Sequence, residues 1–197
     1  MYRLCVLVSG NGTTLQAIID GVGAGLLTAE IAAVISSRLN AYALERARHH
    51  SIPAIAIDYR ALGKENFNSR LLSELERLSP DLICLAGYLK ILDGKIVRAY
   101  HGRILNIHPA LLPQFGGKGM YGDRVHEAVL RSGARESGCT VHFVTEGVDN
   151  GPIILQIKVP VRDGDTVHSL GQRVHEAELA AYPEAIRLVM EGKAKMQ

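Results

Sequence analysis

The chain has 197 residues, a formal net charge of +2 and a sequence pI of about 8.5. Hydrophobic residues make up 47%, charged residues 21%, and tryptophan is absent. That balance suits one enzyme-like domain with a substantial core, and the charge is too mild to argue for nucleic acid as a partner.

Apolar runs alternate with helix-period segments. Residues 3–8 predict a first strand, an apolar run too short for a signal sequence or a membrane span. A glycine turn and a helix from about residue 14 follow. Residues 31–35 predict a second strand and 43–50 a second helix. A third strand is expected at 54–57, then a charged amphipathic helix at 64–78, broken by Ser79-Pro80-Asp81. Residues 82–86 and 104–107 predict the fourth and fifth strands. This alternation predicts an α/β fold: a Rossmann-like, open, mainly parallel sheet with helices on both faces. The later part differs. A helix is expected at 123–132, then strands at 140–144 and 153–159 with no full helix between them, an antiparallel C-terminal addition. A helix at 167–191, kinked at Pro183 and stopped by Gly192, closes the chain. One domain over 1–197 is expected, with halves of about 1–100 and 101–197.

Cys5, Cys84 and Cys139 each sit in an apolar run, with no metal-ligand spacing. Buried reduced thiols in a cytoplasmic compartment are the natural reading, with no metal.

Three segments should converge, because open parallel sheets bind ligands at the carboxyl ends of their strands. The first is Ser9-Gly-Asn-Gly-Thr-Thr14, leading into a helix. Its glycines let backbone N–H groups approach an anion such as a phosphate. The alternative is a tight turn capped by Thr13 or Thr14. Leu15 stands where a dinucleotide fingerprint needs its third glycine, and no Gly-Lys-Ser/Thr loop follows. The second segment is Ala86-Gly-Tyr-Leu-Lys-Ile-Leu92. The third is Asn106-Ile-His-Pro109, where alternation puts Asn106 and His108 on one face of a strand that Pro109 ends. An amide can hold a developing oxyanion and an imidazole can move a proton near neutral pH. The same two side chains could instead satisfy loop backbone groups.

Gly147-Val-Asp-Asn-Gly-Pro152 brackets an acid with Gly and Pro. Asp149 can make an Asx turn, or can hold an imidazole and raise its proton affinity. His49 and His50 suit a helix C-terminus, and strand-borne His142 reads as structural, although it could face the cleft.

These motifs, with Val141-His-Phe-Val-Thr-Glu-Gly-Val-Asp-Asn-Gly-Pro-Ile-Ile-Leu-Gln156 and Ala177-Glu-Leu-Ala-Ala-Tyr-Pro183, closely resemble the phosphoribosylglycinamide formyltransferases along nearly the whole chain. The resemblance implies transfer of a formyl group from 10-formyltetrahydrofolate to the amine of glycinamide ribonucleotide, with small-molecule partners, no membrane and no metal. It implies catalytic roles for Asn106, His108 and Asp149, and phosphate binding by Gly12, Thr13 and Thr14. It also implies a nucleotide contact by Glu178 and a folate pocket of Lys64, Leu89, Lys90, Ile91, Leu92, Asn106, Val144 and Asp149. A homodimer is compatible with it. Thr14 stands where the family often has Asn, and Lys64 where it often has Arg, which trades a bidentate fork for a point charge. A Gly-rich stretch at 115–123 is longer than in several relatives. The formyltetrahydrofolate hydrolases share the Asn-x-His and Asp core but usually add an N-terminal domain. The methionyl-tRNA formyltransferases add a C-terminal one.

Overall fold

The computed structural model describes residues 1–196. In chain order the elements are β1 (Tyr2–Val8), α1 (Thr13–Gly23), β2 (Ala29–Ser36), α2 (Tyr42–His49), β3 (Ala54–Ala56), α3 (Tyr59–Leu78), β4 (Leu82–Leu85), α4 (Gly94–Ala99), β5 (Ile104–His108), α5 (Asp123–Ser132), β6 (Glu136–Phe143), β7 (Ile153–Pro160) and α6 (Val167–Met190). The strands form one seven-stranded mixed sheet in the order β3-β2-β1-β4-β5-β6-β7. Two compact units divide the chain, Met1–Leu105 and Asn106 onward.

In the first unit β1 pairs in parallel with β2 and β4, and β2 with β3. Leu4 to Val8 are completely buried, as a strand covered on both faces must be. That burial is why the sequence there reads as an unbroken apolar run rather than an alternation. Helix α3 starts five residues earlier than the expected 64, because Asp58 caps it, accepting from the Arg60 N–H at 2.9 Å. Gly63 (φ 72, ψ 173) then interrupts the helix, and the expected segment is its second part. Helix α4 has no counterpart in the sequence reading. It has six residues and is capped by the Asp93 carboxylate on the Lys95 N–H at 2.9 Å. One and a half turns are too few for helical periodicity to show.

In the second unit β6 and β7 are antiparallel, as expected, with a register shift between Val141 and His142. Strand β6 begins at Glu136, before the expected 140, because Ser137 and Gly138 carry no apolar signal. Helix α6 opens with a capping box between Thr166 and Ser169. It continues across the buried Pro183 to Met190, and Gly192 follows at φ 69. It packs on α5, β6 and β7.

Cys5, Cys84 and Cys139 are buried free thiols. Burial pushes the Cys5 and Cys139 thiols up to about 12, so neither presents a thiolate at neutral pH. No helix among the described residues is long and apolar enough to cross a membrane.

Candidate functional site

Four side chains of the second unit form one connected group. Strand β5 carries half-buried Asn106 and buried His108 on one face, as its alternation requires. The Asn106 amide nitrogen lies 3.2 Å from His142 Nε2 on β6. Asp149, in the loop after β6, places Oδ2 3.5 Å from His108 Nδ1 and Oδ1 3.7 Å from His142 Nε2. Its side chain is only 10% exposed.

Backbone carbonyls fix the tautomers. His142 Nδ1 is 2.8 Å from the Phe143 carbonyl, which can only accept, so the proton sits on Nδ1. The Nε2 lone pair then accepts from Asn106, and this orients the amide. One N–H of Asn106 points at His142, and the second is left for a ligand. His142, expected from the sequence to be structural or to face the cleft, is the side chain that orients Asn106. A histidine inside an apolar strand gives no local sign of that role.

His108 Nε2 is 2.8 Å from the Phe115 carbonyl, so Nε2 carries the proton of the neutral ring. When the ring is protonated, Nδ1 donates toward Asp149. Burial pulls the His108 pKa down, and Asp149 and the Phe115 carbonyl pull it up without fully offsetting burial. The expected raising of proton affinity by Asp149 is therefore present but outweighed. Burial pushes the Asp149 carboxyl up. The facing His142 and His108 rings, when protonated, and the Gly117 N–H, which donates to Oδ2 at 3.1 Å, hold it below its ordinary value. Asp149 is an ionised carboxylate in a largely dry site.

The Gly-rich stretch at 115–123 thus touches both partners, through the Phe115 carbonyl and the Gly117 N–H. These are backbone atoms, and no side-chain pattern announces them. The segment after β5 is tied down by Thr140, whose hydroxyl donates to the Ala110 carbonyl at 2.6 Å and accepts from the Leu112 N–H at 3.0 Å. Gln156 adds a bond to the Leu112 carbonyl at 3.0 Å.

Asp149 has φ 54, so its loop uses the left-handed region. Gly151 in that loop lies against the Phe143 carbonyl, where an added Cβ would come within 1.8 Å of the oxygen. Gly151→Ala is therefore expected to cost at least about 1–3 kcal/mol, as overpacking does. For a chain of this size that is roughly 2–12 °C in Tm. Thermal unfolding checks it; a Tm equal to wild type would show that the loop relaxes freely.

Glu178 on α6 is mostly buried and accepts from His175 Nδ1 at 3.0 Å. Its charge also reaches His108 and His126. Val144 is half-buried just beyond β6.

The other sequence-predicted residues lie in the first unit. Gly12 is the N-cap of α1 in the left-handed region (φ 75), and no side chain caps the helix, so neither Thr13 nor Thr14 does so. The first N–H groups of α1 have no helical partners and stand free for an anion. Thr13 is exposed and Thr14 buried. A Cβ on Gly12 would lie 2.6 Å from Ala43 Cβ, so packing against α2 demands glycine there whatever binds. Arg46 of α2 donates to the Asn11 carbonyl at 2.8 Å and shapes the loop, a role the sequence reading missed.

Ser9 joins two of the expected segments. Its buried hydroxyl accepts from the Leu89 N–H at 3.0 Å and lies 2.8 Å from Ser37 Oγ. The loops after β1 and β4 therefore meet at one sheet edge. In the second of these Leu89 and Ile91 are exposed and Leu92 is buried. Lys90 stacks over the Tyr59 ring at 4.0 Å. Lys64 is exposed just past the Gly63 break, with no hydrogen bond or ion pair among the described residues.

Known proteins resemble this chain in sequence and fold. It is 41% identical to the phosphoribosylglycinamide formyltransferase of Escherichia coli, over 98% of this chain and 90% of that protein. It is 44% identical to the trifunctional purine biosynthetic protein adenosine-3 of Gallus gallus, spanning only 19% of its length. The crystal structure of glycinamide ribonucleotide transformylase 1 from Symbiobacterium toebii superposes with a TM-score of 0.91 at 48% identity, over 98% of this chain and 89% of that one. A formyltetrahydrofolate deformylase from Pseudomonas syringae has a TM-score of 0.89 at 25% identity, covering 97% of this chain and 62% of its own. The formyl transferase family model matches residues 2–186, and the chain belongs to that family.

Proposed function

We propose that the protein transfers a formyl group from 10-formyltetrahydrofolate to the amine of glycinamide ribonucleotide. The observation that carries this reading is the connected group of Asn106, His142, Asp149 and His108, set in a chain of the formyl transferase family. The substrate amine attacks the formyl carbon and the carbonyl oxygen becomes an oxyanion. The free N–H of Asn106 donates to it. His108 donates from Nε2 once the formyl oxygen takes the place of the Phe115 carbonyl. The bond from carbon to the folate N10 then breaks. N10 gains a proton, and the attacking ammonium loses one. His108, with Asp149 ionised beside it, is the group that can carry that proton.

The N–H groups of Gly12, Thr13 and Thr14 take the nucleotide phosphate, and Glu178 contacts the nucleotide. In the first unit Leu89, Lys90, Ile91 and Leu92 contact the pterin and Lys64 meets a folate carboxylate; in the second unit Asn106, Val144 and Asp149 contact the folate. The experiment is a formyl-release assay with and without glycinamide ribonucleotide. Loss of formyl from 10-formyltetrahydrofolate should depend strongly on the nucleotide, with formylated nucleotide formed in equal amount. Rapid release of free formate without it would leave a hydrolase, the activity named for the Pseudomonas syringae neighbour.

A further inference from the structure

Helix α2 grips the loop after β1 at three successive residues. The Gly10 carbonyl accepts from the Ala43 N–H at 3.1 Å. The Asn11 carbonyl accepts from Arg46 Nε at 2.8 Å. Gly12 packs directly against Ala43. The half-buried Arg46 guanidinium is itself fixed. Its Nη1 donates to Gln16 Oε1 of α1 at 3.2 Å, and it lies over the Tyr42 ring at 5.1 Å. Gln16 is held in turn by Asp20, whose carboxylate accepts from its Nε2 at 2.9 Å.

Peptide planarity carries this grip across the loop. In a trans peptide the carbonyl of one residue and the N–H of the next point in opposite directions. The peptide bonds of this loop are trans. Drawing the Gly10 and Asn11 carbonyls toward α2 therefore turns the Asn11 and Gly12 N–H groups away from it. The Gly12 carbonyl accepts from the Gln16 N–H at 2.9 Å, the first bond of α1, and this turns the Thr13 N–H out beyond the end of that helix. None of these three N–H groups donates a hydrogen bond among the described residues. Three successive donors are thus free, and two of them are aimed by bonds that α2 makes on the far side of the loop. Consecutive N–H groups of this kind suit an oxyanion.

We propose that Arg46 is a positioning residue for the nucleotide phosphate, aiming the Gly12 N–H through the Asn11 carbonyl, and that the Asn11 N–H, aimed by Ala43, is a further donor to that phosphate. This rests on the phosphate-loop reading above and adds what sets its affinity. The guanidinium acts from behind the loop. Its loss should raise KM for the nucleotide and leave kcat at saturating nucleotide near wild type.

Calorimetry with glycinamide ribonucleotide and with its dephosphorylated riboside tests this on the full chain. Wild type should bind the phosphorylated ligand more tightly. Arg46→Met keeps an aliphatic stem beside Gly12 and removes the donor. In it the phosphate advantage should fall by about five- to fiftyfold, the order of one hydrogen bond from a charged donor. Affinity for the riboside should hold. Arg46→Lys, which keeps the charge and one donor, should lose less and repeats the comparison with a milder change. Amide NMR reads the aiming itself. Inorganic phosphate should move the Asn11, Gly12 and Thr13 N–H resonances of wild type. In Arg46→Met the Gly12 response should be lost and the Thr13 response kept, because α1 aims Thr13; a merely structural role would affect all three alike. An undiminished phosphate advantage in Arg46→Met, or equal losses for both ligands, overturns the role of Arg46 and leaves the phosphate loop standing. No Asn11 response in wild type overturns the added donor. Equal affinity of wild type for the two ligands overturns the phosphate loop itself.

Discussion

Replacing Asp149 by Asn is expected to lower kcat by about 10²–10⁴-fold, the usual worth of a general acid–base contribution. Substrate affinities should change far less. The carboxylate sits 3.5 Å from His108 Nδ1 and is the largest influence raising the proton affinity of that ring. Burial already holds the ring below its ordinary value of 6.5, so losing Asp149 moves His108 further down. The signature is a His108 titration, followed by NMR of the ring protons, that lies below 6.5 in the wild type and lower still in the variant. A structural role alone would not shift it in that direction. Stability carries the same sign. His108 and His126 are both held down by burial, so the fold favours their neutral forms. That contribution is present above about pH 6.5 and is lost as pH falls below it, because the unfolded rings then take up protons first. The Asp149 contribution is present above the ordinary carboxylate value and is lost as pH falls through its lowered one. His175, raised by Glu178, acts oppositely: its contribution is full below 6.5 and fades as pH rises through its folded value. Rates within a few-fold of wild type for Asp149→Asn would remove the carboxylate from the mechanism.

Asn106→Leu should cost about 10²–10³-fold in kcat, the range for deleting one oxyanion donor. The substitution keeps the branched outline of the side chain, at a larger volume, and removes the N–H that His142 aims. It also leaves His142 Nε2 without its 3.2 Å partner. The loss should fall on kcat rather than on KM, since the donor acts on charge that develops only in the transition state. A variant impaired chiefly in KM would mean that Asn106 holds the ground-state substrate. Circular dichroism and Tm separate either outcome from misfolding.

Much of this site was legible in the sequence because strand alternation is a strong constraint. Asn106 and His108 had to share a face, and they do. The parallel sheet followed from βα alternation, and the Ser9 to Leu89 bond shows the loops after β1 and β4 meeting. For Asp149 an Asx turn and an imidazole partner were both open, because loop composition does not encode distance; the structure sets it against His108 and His142. The role of His142 depends on which strand lies alongside, a non-local fact. Phe115 and Gly117 act through backbone atoms that every residue possesses. Gly12 could be read as opening space for an anion, whereas contact with Ala43 already requires it. The net direction at His108 depended on burial against charge, and only the three-dimensional surroundings weigh those two.

The close approach of Gly151 to the Phe143 carbonyl reaches further than folding. That carbonyl is the acceptor that fixes the proton on His142, which in turn orients the Asn106 amide. A single methyl group at 151 would push on the first member of this chain and misdirect the last. Position 151 carries no chemistry of its own, yet a substitution there is expected to disturb turnover and folding together. A survey of substitutions scored only for expression would misjudge its tolerance.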